Sequence, residues 1–145
     1  MKTNGGFLVT KIKQLGDRIF ERILAEKNID AFNGAQGRIL YVLWQEDGVP
    51  IKTISEKSGL AITSLTTMLE RMEKNGLISR KTDEADKRKT LLFLTDKTKE
   101  LKEAYDSVSK EMGNIYYRDF TDKEILQFEE YLNRIRVNLE EWSDK

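Results

Sequence analysis

The chain has 145 residues, 39% hydrophobic and 34% charged, with 25 basic and 25 acidic side chains and a mean hydropathy of -0.58. That length and balance suit one folded domain with a genuine core and many solvated helix faces. Cysteine and histidine are both absent, which removes disulfides, thiolate nucleophiles, imidazole bases, redox and near-neutral pH switches, and nearly every tight zinc site.

No window approaches the roughly 20 apolar residues of a membrane-spanning helix, and the opening MKTNGGFLVTKIK lacks the apolar centre of a signal peptide. A cytoplasmic protein without membrane contact is therefore expected. The zero net charge conceals an uneven distribution. Pro50 to Thr90 carries nine Lys/Arg against six Asp/Glu, whereas Asp119 to Lys145 carries four against eight. For a nucleic-acid binder the distribution matters more than the total.

In chain order, Leu8, Ile12, Leu15, Ile19 and Ile23 draw one apolar stripe and predict a helix over about 7–27. A second helix over about 35–45 has apolar residues on most sides (Ile39, Leu40, Val42, Leu43, Trp44), as a buried central helix would. The stretch EDGVP closes it as a turn, with Pro50 at or just before the start of a third helix, Ile51 to Ser58, which Gly59 terminates. A fourth helix is expected from about Ala61 to Asn75. The apolar period then changes from 3.6 to 2: LISRKT and TLLFLT read as two strands joined by DEADKRK, a small antiparallel hairpin. Two final helices are predicted over about 96–118 and 121–143.

The last helix places Ile125, Phe128, Leu132, Ile135, Leu139 and Trp142 at an unbroken 3-4-3-4-3 spacing. This is a heptad seam; ordinary bundles use it too, but over some 23 residues it reaches about 35 Å, more than a small domain needs to cover itself. Together with Leu8, Ile12 and Leu15 of the first helix, it predicts a composite homodimer interface.

Two helices about a Gly59 turn, followed directly by a hairpin with a basic tip, give the element order of a winged helix-turn-helix. On the fourth helix Leu65, Met68, Leu69 and Met72 share one face. Thr63, Thr67, Glu70, Arg71 and Lys74 lie on the other. The small hydroxyls of Thr63, Ser64, Thr66 and Thr67 would allow close approach to a major groove, although Ser and Thr also favour helix starts for their own reasons. At the hairpin tip Lys87, Arg88 and Lys89 gain nothing from folding, and an external anion would explain them. Asp86, two residues before Arg88, is placed to orient its guanidinium for a minor groove.

Gln36, Leu40 and Leu43, the run LERMEKNGLISR from Leu69 to Arg80, and DEADKRKTLLFLT with Asp86, Arg88, Leu94 and Thr95 resemble the MarR family of regulators. The resemblance covers about residues 7–143. It implies a mainly α fold with a small two- or three-stranded β wing, in which a lobe at about 35–95 is flanked by dimerisation helices at about 7–28 and 96–143 of one domain, 1–145. It further implies that the fourth helix enters the major groove, with Ser64, Thr66, Thr67 and Arg71 facing DNA, while Arg88, supported by Asp86, reaches the minor groove. Many relatives carry a basic residue where this chain has Thr67, so the base preference does not transfer.

The implied partners are a pseudo-palindromic duplex, a second copy of the chain, and a small lipophilic or phenolic effector held between the dimer region and each lobe. The implied role is a repressor released by that ligand. Without cysteine and histidine, peroxide- and zinc-sensing subclasses do not fit. No catalytic, cofactor or metal site is expected, since no spacing sets a nucleophile beside a base and Glu129 and Glu130 read as surface charges. The competing reading is a protein–protein scaffold built on a winged-helix dimer that does not bind DNA.

Overall fold

The structure, a computed structural model, describes residues 1–145. Helix α1 (Gly5–Glu26) is followed by α2 (Gly34–Gln45), whose start is fixed by a reciprocal cap: Asn33 Oδ1 accepts from Gln36 N at 2.8 Å, and Gln36 Oε1 accepts from Asn33 N at 3.0 Å. Strand β1 (Val49–Pro50) leads straight into α3 (Ile51–Ser58), then come α4 (Ile62–Lys74), β2 (Ile78–Thr82) and β3 (Thr90–Leu94). The chain ends with α5 (Asp96–Lys99), α6 (Lys102–Tyr116) and α7 (Asp122–Ser143).

Two features depart from the sequence expectation. The segment EDGVP is more than a turn: Val49 and Pro50 pair antiparallel with Leu92 and Leu91, giving a three-stranded sheet of order β1-β3-β2. Proline is tolerated there because β1 is an edge strand. The single helix expected over 96–118 is broken into α5 and α6. Thr98, fully buried, uses its hydroxyl to bond the Thr95 carbonyl at 2.8 Å and to accept from Thr95 N at 2.9 Å. These bonds cap the start of α5, and the interruption follows at Glu100 and Leu101, where Leu101 N bonds the Thr98 carbonyl at 3.1 Å in a turn tighter than α.

The chain forms two compact units, residues 1–110 and 111–145. In the first, α2 is the central helix: Ile39, Leu40 and Leu43 are buried together with Ile54 of α3, Leu65, Leu69 and Met72 of α4, and Ile78 and Leu92 of the sheet. Each such side chain contributes about 1.5–3 kcal/mol by leaving water. The tilted rings of Phe20, Phe32 and Trp44 surround Tyr105, with Tyr41 stacked upon it. In the second unit Tyr117 packs edge-on against Phe120 and Phe128, and its hydroxyl donates to Glu129 Oε2 at 2.7 Å. Glu129 is therefore a structural acceptor, not merely a solvated charge. No residue of α7 is fully buried.

Candidate nucleic-acid interface

The turn between α3 and α4 requires a left-handed residue, and Gly59 supplies it at φ 75°. Ser55 Oγ donates to the Leu60 carbonyl at 2.7 Å, and the buried Ser58 hydroxyl accepts from Leu60 N at 3.2 Å, so the turn is pinned from both sides. This fixes α4 on its apolar face. Leu65, Leu69 and Met72 are buried and Met68 is half-buried, whereas Thr63, Ser64, Thr66, Thr67, Glu70, Arg71 and Lys74 are exposed. Thr66 Oγ1 donates to the Ile62 carbonyl at 3.1 Å, which spends its proton within the helix and leaves its lone pairs outward.

The sheet positions the second element. Strands β2 and β3 pair in register from Ile78 with Leu94 to Thr82 with Thr90. Beyond them Asp83 N donates to the Lys89 carbonyl and Lys89 N to the Asp86 carbonyl, both at 2.9 Å. The carboxylates of Asp83 and Asp86 accept from Ala85 N and Arg88 N, so two short side-chain turns shape the tip. Asp86 also holds the Arg88 side chain: Nε to Oδ1 is 3.0 Å and Nη2 to Oδ2 is 3.3 Å. Those bonds from Arg88, side chain first and then backbone, hold the Asp86 carboxyl below its ordinary value. The Arg88 side chain is 90% exposed and that of Asp86 only 28%. An oriented cation thus projects into solvent, flanked by exposed Lys87 and Lys89.

Three basic residues not singled out in the sequence join this constellation. Arg80 on β2 pairs with Glu73 of α4 at 3.2 Å, tying wing to helix. Lys81 lies over the Phe93 ring at 5.2 Å. Lys52 lines a cleft of about 560 Å³ together with Pro50, Arg80, Arg88, Lys89 and Leu92. The signal for all three was their closeness to the hairpin and to the start of α3, where charge gathers without apolar periodicity. The positions expected for dimerisation are apolar, and none is fully buried within the single chain. Leu8, Ile12 and Leu15 on α1, and Ile135, Leu139 and Trp142 on α7, are exposed, while Ile125, Phe128 and Leu132 are half-buried.

The MarR family model matches residues 32–90, the stretch that runs from the cap of α2 through both interface elements to the start of β3. Over that stretch, less than half of the chain, the sequence is similar to MarR family proteins. It is similar to the HTH-type transcriptional regulator TtmR of Methylorubrum extorquens, with 36% identity over 77 residues, or 53% of this chain and 40% of that one. It therefore spans less than half of that relative's length. Among solved structures, a mutant of E. coli MarR complexed with operator DNA matches with a TM-score of 0.80 at 22% identity, over 90% of this chain and 91% of that one. BpsR of Bordetella bronchiseptica, whose DNA binding is regulated by 6-hydroxynicotinic acid, matches with a TM-score of 0.81 at 18% identity, over 92% and 99%. At those identities the likeness establishes the fold. That fold is a mainly α winged-helix arrangement with a three-stranded wing.

Proposed function

We propose that this protein is a transcriptional regulator that binds double-stranded DNA as a homodimer. One observation carries the reading: Arg88 stands in solvent with its guanidinium oriented by Asp86, at the tip of a wing adjoining a helix whose outer face presents Thr63, Ser64, Thr66, Thr67, Arg71 and Lys74 beside Glu70. Ordered yet solvent-facing cations contribute little to folding and suit phosphates and groove edges. In this assignment Thr63, Ser64, Thr66, Thr67, Arg71 and Lys74 meet the major groove and the adjacent backbone. Asp86, Lys87, Arg88 and Lys89 serve the minor groove, and residues 35–95 form the reading lobe of a single MarR-like domain.

The exposed stripes of α1 and α7 supply the homodimer contacts, and two-fold symmetry then calls for a pseudo-palindromic site. Repression relieved by a small phenolic or otherwise lipophilic effector completes the role. Such a compound acts only by favouring the protomer arrangement that mismatches the operator. The MarR family is one of regulators, and we assign this chain no catalysis. No helix is long and apolar enough to cross a membrane, and we place the protein in the cytoplasm with the DNA.

Recovery and sequencing of genomic fragments bound by the purified protein tests the assignment. A shared two-fold-related motif is the expected result. Fragments recovered no better than by a protein lacking the wing cations would transfer the function to a protein–protein scaffold.

A further inference from the structure

Helix α1 meets the winged lobe along a short stretch. Residues 1–15 are exposed throughout, and only Ile23 and Leu24 of α1 are buried. Near this contact two polar ties run in step, one helical turn apart on each helix. The Glu21 carboxylate accepts a hydrogen bond from Gly34 N, at the first residue of α2, and the Asp17 carboxylate faces the Arg38 guanidinium at 3.6 Å. Gly34 N is one of the donors that α2 cannot satisfy internally. Its own cap uses Asn33 and Gln36 for other groups, so a carboxylate from α1 finds both an open amide and the positive end of a helix dipole.

The approach is close because residue 34 has no side chain. A Cβ there would lie 2.8 Å from Glu21 Oε1 and 3.3 Å from Phe20 Cδ1. The partly exposed Asp17–Arg38 pair adds little by itself. The amide bond to Glu21 fixes a point on α2 against a point on α1, and the apolar contact at Ile23 and Leu24 fixes a second. Two fixed points define an angle.

We propose that Glu21 is a positioning residue that sets the angle between α1 and the winged lobe, and through it the separation of the two recognition helices in the dimer. The last step rests on the DNA-binding reading above; the joint itself does not. With α1 built into the dimer through Leu8, Ile12 and Leu15, a lobe freed at Glu21 samples several separations where the intact joint holds one.

The absence of cysteine makes the test direct. Spin labels at Lys11→Cys on α1 and Glu84→Cys on the wing loop, in chains diluted with unlabelled protein, report the angle as a distance distribution within one chain. Glu21→Ala is expected to broaden it about twofold, while Glu21→Gln, which keeps an acceptor oxygen, retains the original width. Gly34→Ala is the second variant. The new methyl displaces the carboxylate yet favours the helix, so it broadens the distribution without lowering the melting temperature. On recovered duplexes with altered half-site spacing, Glu21→Ala and Gly34→Ala discriminate between spacings about fivefold less well than the unsubstituted protein.

Unchanged distance distributions in both Glu21→Ala and Gly34→Ala would overturn the proposal. If the unsubstituted protein holds no duplex while the distributions broaden as expected, the DNA-binding reading fails and the joint stands.

Discussion

The guanidinium of Arg88 makes its side-chain contacts with one neighbour, Asp86, at 3.0 and 3.3 Å, and is otherwise in water. Its removal therefore takes nothing from the core. Arg88→Ala is expected to leave the melting temperature unchanged and to weaken operator binding by about tenfold or more, as loss of a groove contact worth about 1–3 kcal/mol requires; fluorescence anisotropy beside a thermal melt checks both halves. Tyr117 shows the opposite economy. Burial, and then its hydrogen bond to Glu129, push its hydroxyl up to about 12. A raised value means the neutral hydroxyl is the form the fold prefers. Its contribution is complete below the ordinary tyrosine value of 10.0 and is lost as pH rises through about 12. An ultraviolet titration should show tyrosine ionisation extending well above the ordinary value, and Tyr117→Phe should remove its latest part, leaving that of Tyr105, which burial also pushes up.

At the scale of the element, α4 holds its reading face outward only because Leu65, Leu69 and Met72 hold the other face inward. Leu69→Ala should destabilise the fold by about 2–5 kcal/mol, measured by denaturant unfolding, because the site is fully buried and the cavity cannot collapse completely. This amphipathic division was legible in the sequence, since a 3.6-residue period separates the two faces whatever the surrounding fold. The wing was legible for another reason: two short runs, ISRKT and TLLFL, flank a polar stretch, DEADKRK, that suits only a connection between strands. A third strand was allowed for by the resemblance but could not be placed, because two residues carry no period, and Val49 and Pro50 become a strand only through pairing with β3. Nor was the break between α5 and α6 legible, where a tight turn at Leu101 interrupts an apolar period that runs on unbroken in the sequence. Of the site itself, Asp86 and Arg88 could be paired from their spacing. The ties Arg80–Glu73 and Glu21–Gly34 join separate elements, and no local pattern announces them.

At the scale of the whole molecule, reading a two-fold DNA site takes two chains acting together. Leu139 is 66% exposed and Trp142 73% exposed within one chain, so a charge introduced there disturbs assembly more than folding. Leu139→Glu should shift the mass measured by light scattering from dimer to monomer at micromolar concentration. Its helical circular dichroism should be retained, and operator affinity should fall with the loss of the second half-site. The most direct test of the central claim is the affinity for a recovered duplex as a function of salt, measured on the unsubstituted protein. A DNA-binding dimer should give a straight log–log decline with a slope near -0.9 per neutralised phosphate, and a slope shallower by about one such contact for Lys87→Ala. A protein that held no duplex at low salt, or whose binding did not respond to salt, would contradict that claim.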